Sequence, residues 1–363
     1  MRYGYWLPVF GGWLRNVDDE GMEASWQYAS NLARRSEELG FDLTLIAELN
    51  LNDIKGEDAP ALDAWSTAAA LAAVTSRLEL MVAVRPTFHP PALLAKQASN
   101  IDHICGSGRL SLNVVSSWWA DEAKKYGVRF EEHESRYART AEWLEIVDRL
   151  WKEDHFSFSG EYYRVEDAVL QPKPVTRPRP VIYAGGESEA AKELIASRCD
   201  AYVMHGDPPS RIKEKIEEMS ARRDRLGLPP MKYGVAAYSV VRESEREARA
   251  ELERITNVNQ TAAGYNNYRQ WLAGTKLEQQ VSLGDYSVSN RGLRSGLVGT
   301  SEQVREQIHA FEEAGVDLLL LQCSPQLEEM ERFSAEVIAK SARDKFGAAA
   351  RARAGEASAW PAS

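Results

Sequence analysis

Short apolar, β-branched runs alternate along this chain with longer stretches of helical periodicity. The runs predict strands at Tyr3–Pro8, Leu43–Ala47, Leu78–Val84, Leu110–Val115, Val181–Ala184, Ala201–Met204, Tyr233–Val241 and Leu318–Gln322. The stretches between them predict helices at Met22–Leu39, Asp63–Val74, Pro91–Ile104, Arg136–Trp151, Ser188–Arg198, Pro208–Leu226, Glu243–Arg254 and Ser301–Ala314. Strands alternating with helices point to parallel βαβ units. Eight such units close on themselves as a (β/α)8 TIM barrel. An open doubly wound sheet is the competing arrangement. Against it, the first strand runs into VFGGWLRN, a glycine pair without the G-x-G-x-x-G of a dinucleotide fold.

Local signals support the helix ends. HPPALLAKQASNID places prolines at a helix start, where a missing N–H costs nothing. GTSEQVREQI offers Thr300 or Ser301 as an N-cap. ELGFD and EAGVD each put a glycine between a helix and the next strand. Two regions break the alternation. FSFSGEYYRVEDAVLQPK, from Phe156 to Lys173, reads as a hairpin with glycine at its turn. Residues 256–296 are long, polar and aromatic with little periodicity, and a loop of that length is expected to be functional or disordered. Residues 1–345 therefore read as one barrel domain with insertions, and 346–363 as an Ala/Gly/Ser-biased tail, mobile or a subunit arm.

Composition narrows the class. The 363 residues are 44% hydrophobic and carry a net charge of −10, which argues against a nucleic-acid partner. Cys105, Cys199 and Cys323 are far apart with no C-x-x-C, so they read as buried small hydrophobes rather than a disulfide framework or a zinc site. No long apolar run suggests a membrane span, and the start of the chain lacks a secretory signature, so a cytoplasmic location is expected.

In a barrel the chemistry lies at the C-terminal ends of the strands and in the loops after them. That rule nominates Glu48, Asn50 and Asn52 after the second strand, Arg85, Thr87 and His89 after the third, and Asn113 to Trp119 around the fourth. It adds Gly185, Gly186, Glu187 and Ser188 after the fifth, His205 after the sixth, Tyr238 in the seventh, and Ser324 and Gln326 after the eighth. YAGGESEAAKEL is the most mechanistic of these. Two glycines let the backbone approach closely, and Ser188 opens a helix whose N–H groups and dipole suit a phosphate; an ordinary βα turn with a serine cap reads the same. Arg136 and Tyr137, at the start of a long helix, suit a phosphate or a ring system, or simply a surface and a core position. No His, Asp or Glu spacing makes a metal site, and no G-x-S-x-G is present.

GRLSLNVVSSWWADEAKKYG, HESRYARTAEW, YAGGESEAA, GDPPSRIKEKIEEM and GLVGTSEQVREQIHAFEEAGVDLLLLQCSPQLEEMERF together resemble the bacterial luciferase-like flavin monooxygenases, over nearly the whole chain. The resemblance is nearest to two-component enzymes acting on alkanesulfonates and dimethyl sulfone. It implies a TIM barrel, reduced FMN supplied by a separate NAD(P)H-dependent flavin reductase, O2 as co-substrate, the insertion 256–296 as a lid that keeps water out, and a homodimer or homotetramer. By the same resemblance, Asn113 contacts the flavin ring edge and Ala83, in the segment Val82–Arg85, lies against its face. Glu122, Arg136 and Tyr137 line the approach, and Gly185, Gly186, Glu187 and Ser188 hold the phosphate. Arg291, His205, Tyr238 and Trp118 are the candidate catalytic residues, Arg291 facing a sulfonate or an oxygen adduct.

There are departures. The alkanesulfonate enzymes carry an Arg-x-His pair where this chain has Ala236-Ala237-Tyr238, a Tyr where it has Ser324, and a Cys near Ala61. Loss of the cationic pair favours a less anionic substrate such as a sulfone, whereas Arg85 and GDPP lean towards the sulfonate branch. A pyrimidine ring-opening monooxygenase, a deazaflavin-dependent hydride-transfer enzyme and a flavin-binding relative without activity are the alternatives.

Overall fold

The computed structural model describes residues 1–17, 20–106, 108–258, 263–288 and 291–341; the tail expected at 346–363 lies outside them. Eight parallel strands close into a barrel: Arg2–Trp6, Leu43–Ile46, Glu79–Val84, Leu110–Val114, Val181–Ala184, Ala201–Met204, Lys232–Tyr238 and Leu318–Gln322. Each pairs with the next in sequence, and the last pairs with the first through Arg2↔Leu318 to Tyr5↔Leu321. All five residues of the fourth and eighth strands are buried, because the barrel interior covers one face and the helix ring the other. Leu45, Met81, Leu112, Val235 and Leu320 join Trp143 and Trp151 from the helix ring in one apolar core.

The crossover helices keep the predicted boundaries to within a few residues. Asp63 caps Ala64–Val74, Ser188 caps Glu189–Arg198, and Thr300 caps Ser301–Glu313 in a reciprocal capping box with Gln303. The long helix begins at His133, three residues before its predicted start, and a short helix at Ala120–Lys125 interrupts the loop before it. The hairpin excursion is antiparallel, Phe156–Ser159 against Arg164–Ala168. At its turn the Glu142 carboxylate accepts N–H bonds from Glu161, Tyr162 and Tyr163 at 2.7, 2.9 and 3.1 Å. A Cβ at Gly160 would lie 2.4 Å from that carboxylate, so the turn needs glycine.

The seventh strand differs from its prediction. It leaves the barrel at Tyr238, and Val240–Val241 pairs instead with Val298–Gly299 just beyond the insertion. The insertion is not structureless. It contains the helices Tyr268–Gly274 and Leu283–Ser287 and 3-10 turns at Ala263–Tyr265 and Gly292–Ser295, and it covers the C-terminal mouth of the barrel. These pieces are too short to show a periodicity in sequence. No helix among the described residues is long and apolar enough to cross a membrane. Cys105, Cys199 and Cys323 are free and buried.

Candidate functional site

One cavity opens at the C-terminal end of the barrel beneath the insertion. Strand register sets its floor. Ala83 pairs with Asn113, and Asn113 pairs with Tyr183, so the third, fourth and fifth strands bring Ala83, Asn113 and the Gly185–Gly186 turn to one wall. Asn113 Oδ1 and the hydroxyls of Ser116 and Ser117 are buried without a hydrogen-bond partner, and all three residues line the cavity. Buried polar atoms left unbonded cost stability unless something binds them. Ser117 holds φ 58°, an unfavourable region for a residue with a Cβ, at the same wall.

The paired indoles divide the labour. Trp118 and Trp119 stack with ring centroids 5.3 Å apart and an interplanar angle of 2°. Trp119 is buried behind, while Trp118 faces the cavity. The insertion crosses the Trp118 carbonyl at Gly274, where a Cβ would sit 2.5 Å from that oxygen.

The turn after the fifth strand is built for close approach. A Cβ on Gly186, φ 153°, would lie 2.6 Å from Ala191 Cβ and 3.1 Å from the Tyr137 hydroxyl; one on Gly185 would lie 2.9 Å from the Val203 carbonyl. Ser188 Oγ accepts the Ala191 N–H at 3.2 Å, and burial raises the pKa of Tyr137, whose hydroxyl also bonds Ser188. Among the described residues Arg136 has no carboxylate partner. It donates to the carbonyls of Ser116, Glu131 and Gly274 at 3.0, 2.7 and 3.3 Å, and burial lowers its pKa.

Ten of the thirteen residues nominated as catalytic or cofactor-binding line this cavity: Ala83, Asn113, Trp118, Arg136, Tyr137, Gly185, Gly186, Glu187, Ser188 and His205. Three do not. Glu122 is buried behind the wall, where it binds the Arg85 guanidinium and accepts the Asn50 N–H at 2.5 Å; Arg85 is the residue that reaches the cavity. Tyr238 packs among Leu14, Val240, Ile255 and Val288, because Gly292 of the returning insertion lies directly on its backbone and shuts it off. Arg291 is 1% exposed and donates to Glu187, so the expectation of a substrate-facing guanidinium gives way to an internal ion pair. Glu187 also departs from its expected part. Its carboxylate is turned from the turn to Arg291, to Lys215 at 2.9 Å and to the Glu278 N–H at 3.1 Å, leaving its backbone alone to face an anion. Burial alone would raise its pKa; His205, Arg291 and Lys215 outweigh burial and hold it at about 2.

His205 is half-buried and lines the cavity. Burial first, then Arg291 and Lys215, push its pKa down to about 4, so it is neutral at pH 7. Of the other rim residues, Glu48 lines the cavity and binds His89 Nε2 at 2.5 Å and the Arg85 N–H at 2.7 Å. Asn52, Ser324 and Gln326 bond within the frame instead.

A second wall joins aromatics of the first strand and its loop to aromatics of the insertion, whose meeting the sequence did not show. Trp6, Phe10, Trp13, Trp271 and Tyr286 form an aromatic end. Within it Arg15 pairs with Asp53 at 2.6 Å and lies 3.9 Å over the Tyr286 ring. Among the described residues no group of three or more His, Cys, Asp or Glu side chains could hold a metal ion.

Residues 1–318 match the sequence profile of the luciferase-like monooxygenases. The chain belongs to that family. It is 32% identical to an FMNH2-dependent dimethylsulfone monooxygenase of Pseudomonas putida, over 93% of this chain and 94% of the relative. Its fold is also that of riboflavin lyase, with a TM-score of 0.82 at 20% identity, covering 95% of this chain and 92% of the other. A long-chain alkane monooxygenase is similar at a TM-score of 0.79 and 20% identity, with the same coverages. This luciferase-like monooxygenase thus shares the eight-stranded barrel of those structures, with its own cavity at the C-terminal strand ends.

Proposed function

We propose that this enzyme uses reduced FMN and O2 to oxidise a small, uncharged organosulfur compound and cleave its C–S bond, a dialkyl sulfone such as dimethyl sulfone being the substrate class. A separate NAD(P)H-dependent flavin reductase supplies the reduced cofactor. The observation that carries the choice of substrate is the pairing of the cavity's guanidinium groups. Arg15 is neutralised by Asp53 and Arg85 by Glu122 and Glu48, while Arg136 is occupied by three carbonyls. At the aromatic end a sulfonate would have to break the buried Arg15–Asp53 pair to gain a cation, at several kcal/mol. A neutral sulfone fills the aromatic end without that cost.

The residues present fit a flavin mononucleotide. The Gly185–Gly186 turn is a cradle that a Cβ would fill, and it leads into a capped helix N-terminus suited to a phosphate. Asn113 Oδ1 and the Ser116 and Ser117 hydroxyls are unsatisfied groups of the kind a polar ring edge would bond. When bound, reduced FMN supplies the electron pair with which O2 is activated. The chain's own part is to orient, to exclude water and to hold protons. Ala83 offers a flat wall, and Trp118, Trp271 and Tyr286 close the aromatic end against solvent. His205, neutral at pH 7, accepts or donates a hydrogen bond without adding charge.

The test is anaerobic loading with reduced FMN, followed by an oxygen pulse with dimethyl sulfone, methanesulfonate or uracil. Sulfinate release from dimethyl sulfone above the uncoupled peroxide background is expected. Turnover of methanesulfonate or uracil alone would overturn the reading.

A further inference from the structure

The insertion carries a cation to the phosphate end of the cavity. Lys276 lines the main cavity and also a shallower cleft at its mouth, which His133, Glu134, Ser188 and Glu189 share. Its backbone is pinned on both sides by cavity residues. Two residues before it, the Gly274 carbonyl accepts from Arg136 Nη2 at 3.3 Å; two residues after it, the Glu278 N–H donates to Glu187 at 3.1 Å. The ammonium itself is held loosely. It pairs with Glu134, and the two side chains are 56% and 69% exposed, a class of ion pair that solvent and salt screen strongly. His133 beside it stays neutral at pH 7, because burial and then the Lys276 charge lower its pKa. At this mouth, therefore, a lid lysine held by an exchangeable surface partner stands beside the Ser188 cap and the Gly185–Gly186 cradle.

We propose that Lys276 is the lid's ligand for the 5′-phosphate of the flavin, exchanging Glu134 for the phosphate when the cofactor is seated. The assignment rests on the reduced-FMN reading above. Phosphate carries more charge than a carboxylate and offers three acceptor oxygens, so the exchange is downhill. It makes the lid part of the cofactor site, and it makes selection of FMN over riboflavin a property of lid and barrel together.

The experiment is anaerobic titration of the full chain with reduced FMN and with reduced riboflavin, followed by quenching of tryptophan fluorescence, at two salt concentrations. Wild type is expected to bind FMN more tightly than riboflavin. Lys276→Met should weaken FMN about tenfold, leave riboflavin unchanged and flatten the salt dependence. Glu134→Gln should tighten FMN about twofold to threefold by removing the competitor, and that gain should vanish in the Lys276→Met background. Both positions are solvent-exposed, so folding is not at stake. Wild type preferring FMN with Lys276→Met unchanged, or losing both flavins equally, overturns the Lys276 assignment alone. Wild type binding neither flavin overturns the cofactor reading and the assignment with it.

Discussion

Leu112 of the fourth barrel strand and Trp271 of the lid are both buried, but by different means. Leu112 sits in the continuous apolar core that joins the barrel interior to the helix ring. Trp271 belongs to a small separate cluster with Tyr265, Val281 and Tyr286, and polar ties hold that cluster in place. Arg15 reaches across to the Gly264 carbonyl at 2.9 Å, the Tyr286 carbonyl at 3.0 Å and Asp53. Asn267 donates to Asp53 at 3.1 Å, Arg136 to Gly274, and Glu187 receives Arg291 and Glu278. Apolar packing is non-directional and carries no charge to titrate or screen, so it suits a frame. Ion pairs and hydrogen bonds break one at a time and respond to charge, so they suit a segment that must open for substrate and close against water.

The sharpest way to break this comparison is Arg15→Ala. It removes the guanidinium that joins the loops after the first two strands to the lid and leaves Asp53 buried without its partner, a loss of about 3–5 kcal/mol. Hydrogen exchange should accelerate at 263–288 while amides of the barrel strands keep their protection. Equal acceleration in both would mean that lid and frame unfold as one unit.

A second effect is set by pH. The unfolded chain protonates His205 near 6.5, whereas the folded state holds it neutral down to about 4. Stability is therefore full above pH 6.5 and falls between 6.5 and 4, by at most about 3.5 kcal/mol at 1.4 kcal/mol per pKa unit, less what the open cavity face returns. The groups facing the ring are Arg291 and Lys215 against Glu187 and Asp207, so its protonation adds a cation at the junction of frame and lid. Urea midpoints measured across that window should fall for wild type and stay nearly level for His205→Gln. A matching fall in the variant would place the pH dependence elsewhere.

The smallest effect tests the lid alone. Ser282 and Asp285 form a reciprocal capping box on the helix Leu283–Ser287. Ser282→Ala should cost about 1 kcal/mol, seen as faster proteolysis within the lid with the global melting temperature unchanged.

The alternation of short apolar runs with amphipathic stretches determined the eight strands, their helices and hence the barrel, because both periodicities are local. Val181–Ala184, Ala201–Met204 and Leu318–Gln322 fall where the pattern puts them. The glycine turn and Ser188 cap were legible for the same reason: strand, cradle and helix start lie within one short run. Tertiary structure alone decided which way the rim side chains turn. The family resemblance suggested Glu122 and Arg291 as cavity residues and the strand-end rule suggested Tyr238, yet Arg85, Glu187 and Gly292 respectively hold them out of it. Likewise, nothing near Arg15 in sequence announces the Tyr286 carbonyl that it binds 271 positions away. Secondary structure is set by neighbours along the chain. The lid is set by long-range polar contacts, which leave no period to read.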